Sequence, residues 1–232
     1  MNELIDVVNR HLDFSESAPL KTIVYHAFRK TIILGQIPAG SRINEKEFSA
    51  QLNISRTPIR YALEKLADEG LVVRIKGVGI IVKGISIKDA YEIYDIRKAL
   101  DVLATITAAK LMTPTDFKNL KALLDETERL NNENDIPAVL EKFTEFNEFI
   151  LRKSQMLRLE SIVLKLREYL MYFRDISISD KPRRDKALYE HFLIYKGMLN
   201  QDEEQIRLII EEHLDYSLHF IIKEMEGVLY SK

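Results

Sequence analysis

The chain of 232 residues contains no cysteine. This absence excludes disulfide bonds and thiolate metal sites, and it agrees with a reducing compartment. Its apolar runs are short, and none approaches the roughly 20 apolar residues that a membrane-spanning helix needs. The first residues, Met-Asn-Glu-Leu-Ile-Asp, lack the basic start and the apolar core of a secretory signal. We therefore expect a cytoplasmic protein without membrane association.

The formal net charge is only −2, but the charge is distributed unevenly along the chain. Residues 18–85 contain 11 Lys and Arg against five Asp and Glu, which gives this segment a net charge of +6. Residues 1–17 carry a net charge of −3 and residues 86–232 a net charge of −5. A basic segment in an otherwise acidic chain indicates a part that meets phosphate, although chance clustering of surface lysines gives the same pattern.

The basic segment, residues 18–84, shows three helical patterns followed by a hairpin pattern. Helices are predicted over 17–35, after Asn44 as a first N-cap, and after Ser55 as a second. Beyond Gly70 the apolar pattern becomes β-rich at 71–75 and 80–82, with a glycine-containing turn between. This order is that of a winged helix-turn-helix with a β-hairpin wing. Residues 1–17 precede it as an N-terminal extension in which a short helix is predicted.

Residues 86–232 show only helical patterns, with strong start signals at Thr113 and Asp135. They predict an all-α bundle of about six helices, or seven if one is split. The predicted fold class is therefore mainly α, with a winged helix-turn-helix followed by a helical domain.

The start of the third predicted helix has the chemistry of a DNA-reading surface. In a helix-turn-helix the N-terminal residues of the second helix of the motif meet base edges in the major groove. Arginine there can bind guanine in bidentate fashion, and hydroxyl and basic groups can hold phosphates. Taken singly, each of these side chains is more simply a solvated surface group, but together they favour DNA binding. The predicted DNA-binding residues are Lys46, Ser55, Arg56, Thr57, Arg60, Lys76 and Gly77.

The stretch GQIPAGSRINEKEFSAQLNISRTPIRYALEKLADEGLVVRIKGVGIIV resembles the winged-helix domain of the GntR family of bacterial transcription regulators. It contains the Ser-Arg-Thr-Pro-Ile-Arg run, the following Ala-Leu, the Gly-Leu step and the Gly-x-Gly wing of that family. The turn at 35–40 departs slightly, with one residue more before its second glycine. The resemblance implies that six residues of the predicted set contact DNA: Lys46, Arg56, Thr57, Arg60, Lys76 and Gly77.

The remainder, residues 86–232, resembles the all-helical FCD domain (FadR C-terminal domain) found in one branch of the same family. The resemblance is carried by the YDIRKALD run at 94–101, by Glu190-His191 and by Glu212-His213-Leu214. It implies homodimerisation and an effector cavity. By this resemblance the candidate effector-binding residues are Arg97, Asn147, His191 and His213.

Many FCD domains bind a divalent metal through an Asp and a His four residues apart and two further His. Here His191 and His213 occupy the last two positions, but Phe143 stands at the expected Asp and Asn147 at the expected His. Zinc usually takes three or four good N, S or carboxylate ligands. Three interpretations stay open: a metal held by His191 and His213, a metal-free pocket lined by the same histidines and Asn147, or two core histidines without a ligand. No cofactor is certain, and a divalent metal is the one candidate.

Arg97 has two interpretations of equal weight. By resemblance it points into the FCD cavity, where an arginine can clamp a carboxylate. It can equally form an i,i+4 ion pair with Asp101. Arg167 and Arg174 are weaker candidates for the same role, and we expect them to be surface or inter-helix charges.

The predicted function is a homodimeric transcriptional regulator, expected to be a repressor, that binds a double-stranded DNA operator. A small metabolite, expected to be an organic acid, would modulate it from the helical domain. The alternatives are a metal-dependent sensing site or a helical domain that only dimerises. An enzyme is disfavoured, because the sequence has no nucleophile motif, no glycine-rich phosphate loop and no general base with a clear partner.

Overall fold

The computed structural model describes residues 3–15 and 17–230. The chain divides into two compact units, one over Met1–Ser86 with Val228–Lys232 and the other over Ile87–Gly227. Residues 1, 2 and 16 of the predicted extension, and residues 231 and 232 of the predicted helical domain, lie outside the described residues. In the part of the chain that the structure describes, no helix is long and apolar enough to cross a membrane.

The helices of the first unit are α1 (Glu3–Arg10), α2 (Leu20–Ile33), α3 (Glu45–Gln51) and α4 (Arg56–Asp68). Helix α1 agrees with the short helix predicted in the extension, and it packs on α2. The rings of Phe28 in α2 and Phe48 in α3 lie 5.1 Å apart, and both side chains are buried. Ile59 and Leu63 bury one face of α4 one turn apart, so that its opposite face points to solvent.

The sheet of this unit contains β1 (Arg42–Ile43), β2 (Val72–Ile75) and β3 (Gly79–Val82), in the antiparallel order β1-β3-β2. The hairpin β2–β3 confirms the predicted wing, with Ile75 opposite Gly79 across the turn. Strand β1 was not predicted, because two residues are too short to show an alternating pattern. It pairs with β3 through Arg42 opposite Ile81 and anchors the wing to the segment before α3.

The described part of the second unit contains six helices, as predicted: α5 (Ile87–Leu111), α6 (Pro114–Asn132), α7 (Ile136–Lys153), α8 (Leu157–Ile178), α9 (Lys181–Asn200) and α10 (Glu203–Tyr230). The predicted start signals work as expected. Thr113 and Asp116 form a capping box at α6, and the Asp135 side chain accepts a hydrogen bond from the Ala138 amide at α7.

One buried arginine joins three of these helices. The Arg184 side chain is fully buried near the start of α9 and donates to the carbonyl oxygens of Ile178 and Ser179 after α8. It also donates to the side-chain oxygens of Asn131 at 2.8 Å and Asn134 at 2.6 Å, at the end of α6. Since a buried guanidinium requires such acceptors, this network fixes the three helix ends relative to one another.

Candidate DNA-binding surface and ligand cavity

The N-terminal turn of α4 presents the predicted DNA-reading side chains to solvent. Arg56, Thr57 and Arg60 are exposed, whereas Pro58 and Ile59 between them are buried. Proline in the first helical turn leaves no backbone donor unpaired. Ser55 occupies the N-cap position, but its side chain makes no capping hydrogen bond, so the prediction that it caps the helix holds for its position only. The turn therefore presents arginine and hydroxyl groups on one outward face.

Two further parts of the first unit carry predicted DNA-binding residues. Lys46 is exposed in the first turn of α3, which Asn44 caps by accepting hydrogen bonds from the Lys46 and Glu47 amides. At the wing tip Lys76 and Gly77 are both exposed in the turn between β2 and β3. Gly77 has a φ of +81°, a left-handed conformation that favours glycine and brings the backbone close to any ligand.

An acidic residue that the sequence analysis did not single out connects this surface. The Glu45 carboxylate lies 3.5 Å from Arg60 Nε in α4 and 3.3 Å from Arg74 Nη2 in β2. Both arginine side chains are more than half exposed, at 56% and 59%, whereas Glu45 is 20% exposed. Such pairs are weak in water, so both guanidinium groups can exchange Glu45 for a phosphate or a base.

The second unit encloses a cavity of about 30 Å³. Polar groups reach it from four helices: Arg97 and Asp101 of α5, Asn147 of α7, Arg167 of α8 and His213 of α10. The rest of the wall is formed largely by aliphatic and aromatic side chains. Since one water needs about 10–15 Å³ of such space, the cavity has room for about two waters.

The two interpretations of Arg97 both describe the structure. Its guanidinium lines the cavity, and its Nη2 lies 2.9 Å from Asp101 Oδ2 in an i,i+4 ion pair. Burial lowers the pKa of Arg97, but the adjacent Asp101 carboxylate, together with Tyr94, more than offsets this effect and the pKa is raised overall. The Asp101 pair therefore holds Arg97 charged at the cavity wall.

Arg167 is an inter-helix charge, as one of its two predicted roles, with its Nη2 3.6 Å from Asp101 Oδ1 of α5. It also lines the cavity. Burial lowers the pKa of Arg167 to about 10, against the favourable Asp101 charge and with the repulsion of Arg97 and Arg174. No sequence pattern marks Arg167, because its cavity position depends on how α8 packs against α5.

His191 lies behind the cavity wall and is not among the residues that line it. Its ring stacks on Phe146 with centroids 4.3 Å apart and meets the edge of Phe143 at 4.8 Å. The side chain is 2% exposed, and its Nδ1 has no hydrogen-bond partner among the described residues. Burial, with smaller contributions from His213 and the nearby arginines, lowers the pKa of His191 well below its ordinary value of 6.5. The lowered pKa favours the neutral form of this imidazole.

His213 reaches the cavity from α10 and is oriented by a carboxylate that the sequence analysis did not assign. Its Nδ1 lies 2.6 Å from Glu190 Oε2, and Glu190 is 3% exposed. A carboxylate at Nδ1 favours the tautomer that carries the proton there and leaves Nε2 as an acceptor. The only sequence signal for this role is that Glu190 precedes His191. Neighbouring residues of a helix point in different directions, so Glu190 can contact α10 while His191 packs on α7.

These residues do not form the donor set that zinc or nickel takes. Phe143 is buried against His191 where a carboxylate would be needed, and the Asn147 amide donates to the Phe143 carbonyl at 2.8 Å. The imidazoles of His191 and His213 are therefore the only good donors of the four positions, with ring centroids 5.0 Å apart. Among the described residues, no group of three or more His, Asp or Glu is arranged to hold a metal ion.

Comparison with known proteins identifies both units. Residues 20–82 match the family described as bacterial regulatory proteins, gntR family, and residues 92–216 match the FCD domain. The second match alone covers more than half of the chain.

Similar proteins have the same organisation along most of their length. The HTH-type transcriptional regulator YdhC of Bacillus subtilis is 24% identical over 203 residues, which cover 87% of this chain and 91% of YdhC. The HTH-type transcriptional repressor RspR of Escherichia coli is 22% identical, covering 84% of this chain and 86% of RspR. The solved structure of E. coli McbR/YncC superposes with a TM-score of 0.63 at 19% identity, covering 90% of this chain and 99% of that one. The chain therefore belongs to the GntR family of bacterial regulatory proteins, in which it is a DNA-binding transcriptional regulator with an FCD domain and not an enzyme.

Proposed function

We propose that this regulator is a homodimeric repressor whose affinity for its operator is modulated by a small organic acid in the FCD cavity, without a resident metal. The observation that carries the effector part is the cavity wall, where two arginines face a single carboxylate. Similarity to the repressor RspR supports repression as the direction of control.

Operator reading is assigned to the exposed turn of α4. Arg56 and Arg60 are one turn apart on the outward face and are placed to contact base edges, with guanine as the preferred partner. Ser55, Thr57 and Lys46 surround them as phosphate-binding groups, and Lys76 and Gly77 extend the contact to the neighbouring groove or backbone. Because the basic charge is concentrated in this unit, binding should weaken steeply with salt.

The test uses Arg56→Ala on a duplex selected by the wild-type protein from a random DNA pool. Losing a bidentate base contact should raise the dissociation constant by about 5- to 150-fold, the equivalent of about 1–3 kcal/mol. Fluorescence anisotropy at fixed salt measures it. Arg10→Ala, in the exposed last turn of α1, is the matched control and should bind as the wild type does. A change of less than about threefold for Arg56→Ala would remove it from the base-reading role.

Dimerisation is supported by an apolar stripe on α5. Ile96 and Leu103 lie seven residues apart on one face of this helix and are 42% and 46% exposed. On the adjacent α8, Leu157 and Ile162 are more than half exposed. A second copy would bury both surfaces and place two α4 helices on two half-sites. Sedimentation should show Leu103→Glu as a monomer, whereas Leu208→Glu, equally exposed on α10, should stay dimeric.

Effector control follows from the size of the cavity. A space for about two waters cannot hold a metabolite, so an effector must favour a conformation in which the helices stand further apart. An effector that binds the open conformation more tightly than the closed one shifts the population between them, and with it the fraction of protein that can bind the operator. Thermal melting across a panel of organic acids tests this: a selective rise in melting temperature is expected. A uniformly flat response would favour a helical domain that only dimerises.

The absence of a resident metal is tested on the purified protein. Elemental analysis before and after chelator treatment should give no stoichiometric transition metal, and chelation should leave operator affinity unchanged. A stoichiometric metal lost in a His191→Gln variant would contradict the proposal.

A further inference from the structure

The charged side chains that line the FCD cavity do not balance. Arg97 and Arg167 contribute two guanidinium groups, and Asp101 contributes one carboxylate. The other polar side chains of the wall, Thr105, Asn147 and His213, each make a hydrogen bond within the protein. The Asn147 amide donates to the Phe143 carbonyl, and His213 Nδ1 is bonded to Glu190. The arginines are therefore the cavity groups with charge and donor capacity to spare.

Asp101 is shared unequally between the two arginines. It lies 2.9 Å from Arg97, within hydrogen-bond distance, but 3.6 Å from Arg167, which is too long for a good hydrogen bond. The pKa values of the two arginines agree with this unequal sharing. Burial lowers the pKa of Arg167 to about 10, whereas the pKa of Arg97, which is hydrogen-bonded to Asp101, is raised despite its burial. Arg167 is thus a buried cation with an incomplete counter-ion.

The hydrogen-bonding atoms show the same deficiency. Within the described residues, Arg167 Nε and Asp101 Oδ1, the two atoms between which a better bond could form, are both buried and have no hydrogen-bond partner. Arg97 Nε is in the same condition. Unpaired buried donors are costly, and charged ones more so, which makes this corner of the cavity a receptor for an anion.

We propose that Arg167 is the residue that binds the effector's carboxylate, and that Asp101 is an internal competitor that weakens this binding by holding part of the same charge. The inference rests on the proposed effector function and deepens it. An incoming carboxylate would pair with Arg167 through Nε and Nη2, while Asp101 stays on Arg97. Because the ligand carboxylate and Asp101 compete for Arg167, the affinity for the ligand depends on the distance between Arg167 and α5, the helix that carries Asp101.

The same geometry limits the class of ligand. One unpaired guanidinium needs one carboxylate, and a second carboxylate would face Ala104, Ile150 and Leu151 or the Asp101 charge. Burying an unpaired charge against aliphatic side chains is strongly unfavourable. In the more open conformation that an effector requires, these side chains therefore favour a short aliphatic monocarboxylate over a dicarboxylate.

The experiment compares sodium propionate, sodium succinate and uncharged propionamide by isothermal titration of the full chain. Propionate should bind the wild type more tightly than succinate does, and propionamide should not bind. Arg167→Gln should weaken propionate binding about tenfold or more, since it removes a charge-assisted contact. Asp101→Asn should strengthen it about tenfold. Arg207→Gln, an exposed arginine of α10, is the matched control and should bind like the wild type.

A direct measurement covers the case in which Asp101→Asn does not fold. In wild-type protein with ¹⁵N-labelled arginine, the Nε–H signal that is missing from Arg167→Gln should shift when propionate is added. A signal that does not move at saturating propionate overturns the inference, and so does unchanged propionate affinity in Arg167→Gln. Tighter binding of succinate overturns the monocarboxylate class.

Failure of the broader proposal gives a different result. If wild-type protein binds its selected operator but neither propionate nor succinate, the organic-acid function itself fails and this inference fails with it. If both acids bind and Arg167→Gln binds them equally well, the organic-acid function stands and only the role of Arg167 is lost.

Discussion

Replacing the buried His191 should change how the stability of the protein depends on pH. The imidazole lies between Phe146 and Phe143 at 2% exposure, and burial keeps its pKa well below 6.5. The unfolded chain binds a proton at this residue below pH 6.5, whereas the folded protein does not. The stabilising contribution of neutral His191 is therefore fully present above pH 6.5. It is lost as the pH falls from 6.5 towards the lowered pKa of His191 in the folded protein.

Linkage sets the magnitude. One proton taken up on unfolding reduces the free energy of unfolding by about 1.4 kcal/mol per pH unit once the pH is well below the unfolded pKa. Between about pH 7.5 and about pH 5 the integrated loss from this residue is at most about 2 kcal/mol. Other groups of the protein contribute to its pH dependence, so the part due to His191 is the difference between wild type and variant.

Urea denaturation followed by circular dichroism measures this difference, in buffer that contains a chelator. His191→Gln should be less stable than the wild type at neutral pH but should lose less stability on acidification. His219→Gln, an exposed histidine of the same unit, should follow the wild-type pH dependence. In wild-type protein with ¹³C-labelled histidine, the His191 ring signal should titrate well below pH 6.5. Parallel curves for wild type and His191→Gln, or a His191 signal that titrates near 6.5, would refute the reasoning.

Two further predictions concern the other networks. Glu45→Gln removes the carboxylate that pairs with Arg60 and Arg74, so it should tighten operator binding about two- to fivefold in fluorescence anisotropy. Glu64→Gln, on the exposed surface of α4, removes the same charge without breaking these pairs and should not tighten binding. Equal effects of the two variants would mean that only the net charge of the protein matters. Arg184→Met removes the hydrogen-bond donors to four buried or half-buried oxygens. It should lower the free energy of unfolding by about 3 kcal/mol or more in urea titrations, far more than the exposed control Arg207→Met does. A urea midpoint equal to that of the control would show that the Arg184 network does not stabilise the fold.

The elements of the fold were predictable where the signal is local. The caps at Asn44, Thr113 and Asp135 and the apolar stripe of α4 lie within a few residues of the structure that they determine. The exposure of Arg60 agrees with this stripe, whereas Arg56 is seven residues before Leu63 on nearly the same side and is exposed as the first residue of the helix. Strand β1 depends instead on pairing with β3, almost 40 residues later, and two residues carry no pattern of their own.

In the cavity of the second unit, by contrast, only part of the arrangement could be predicted from the sequence. Arg97 and Asp101 are four residues apart, so their pairing could be read from the chain as one of two alternatives. Arg167 was only a weaker candidate and Glu190 was assigned no role, because their positions depend on contacts between different helices: Arg167 with Asp101 across α8 and α5, and Glu190 with His213 across α9 and α10. A polar residue on a helix looks the same in sequence whether it faces solvent or a partner on another helix.

Helix α5 has a mechanical consequence for the regulator. It begins at Ile87, directly after the last residue of the first unit's main segment, and it carries both Arg97 and Asp101. At a rise of about 1.5 Å per residue, Arg97 lies about 15 Å along the axis from Ile87. A ligand that tilts this rigid rod by about 5° around Arg97 moves its first residue by about 1.3 Å, within the range of helix shifts that drive allosteric transitions. Under the proposed effector function, a displacement of α5 at the cavity would therefore be transmitted along this helix to Ile87, where the main segment of the first unit ends.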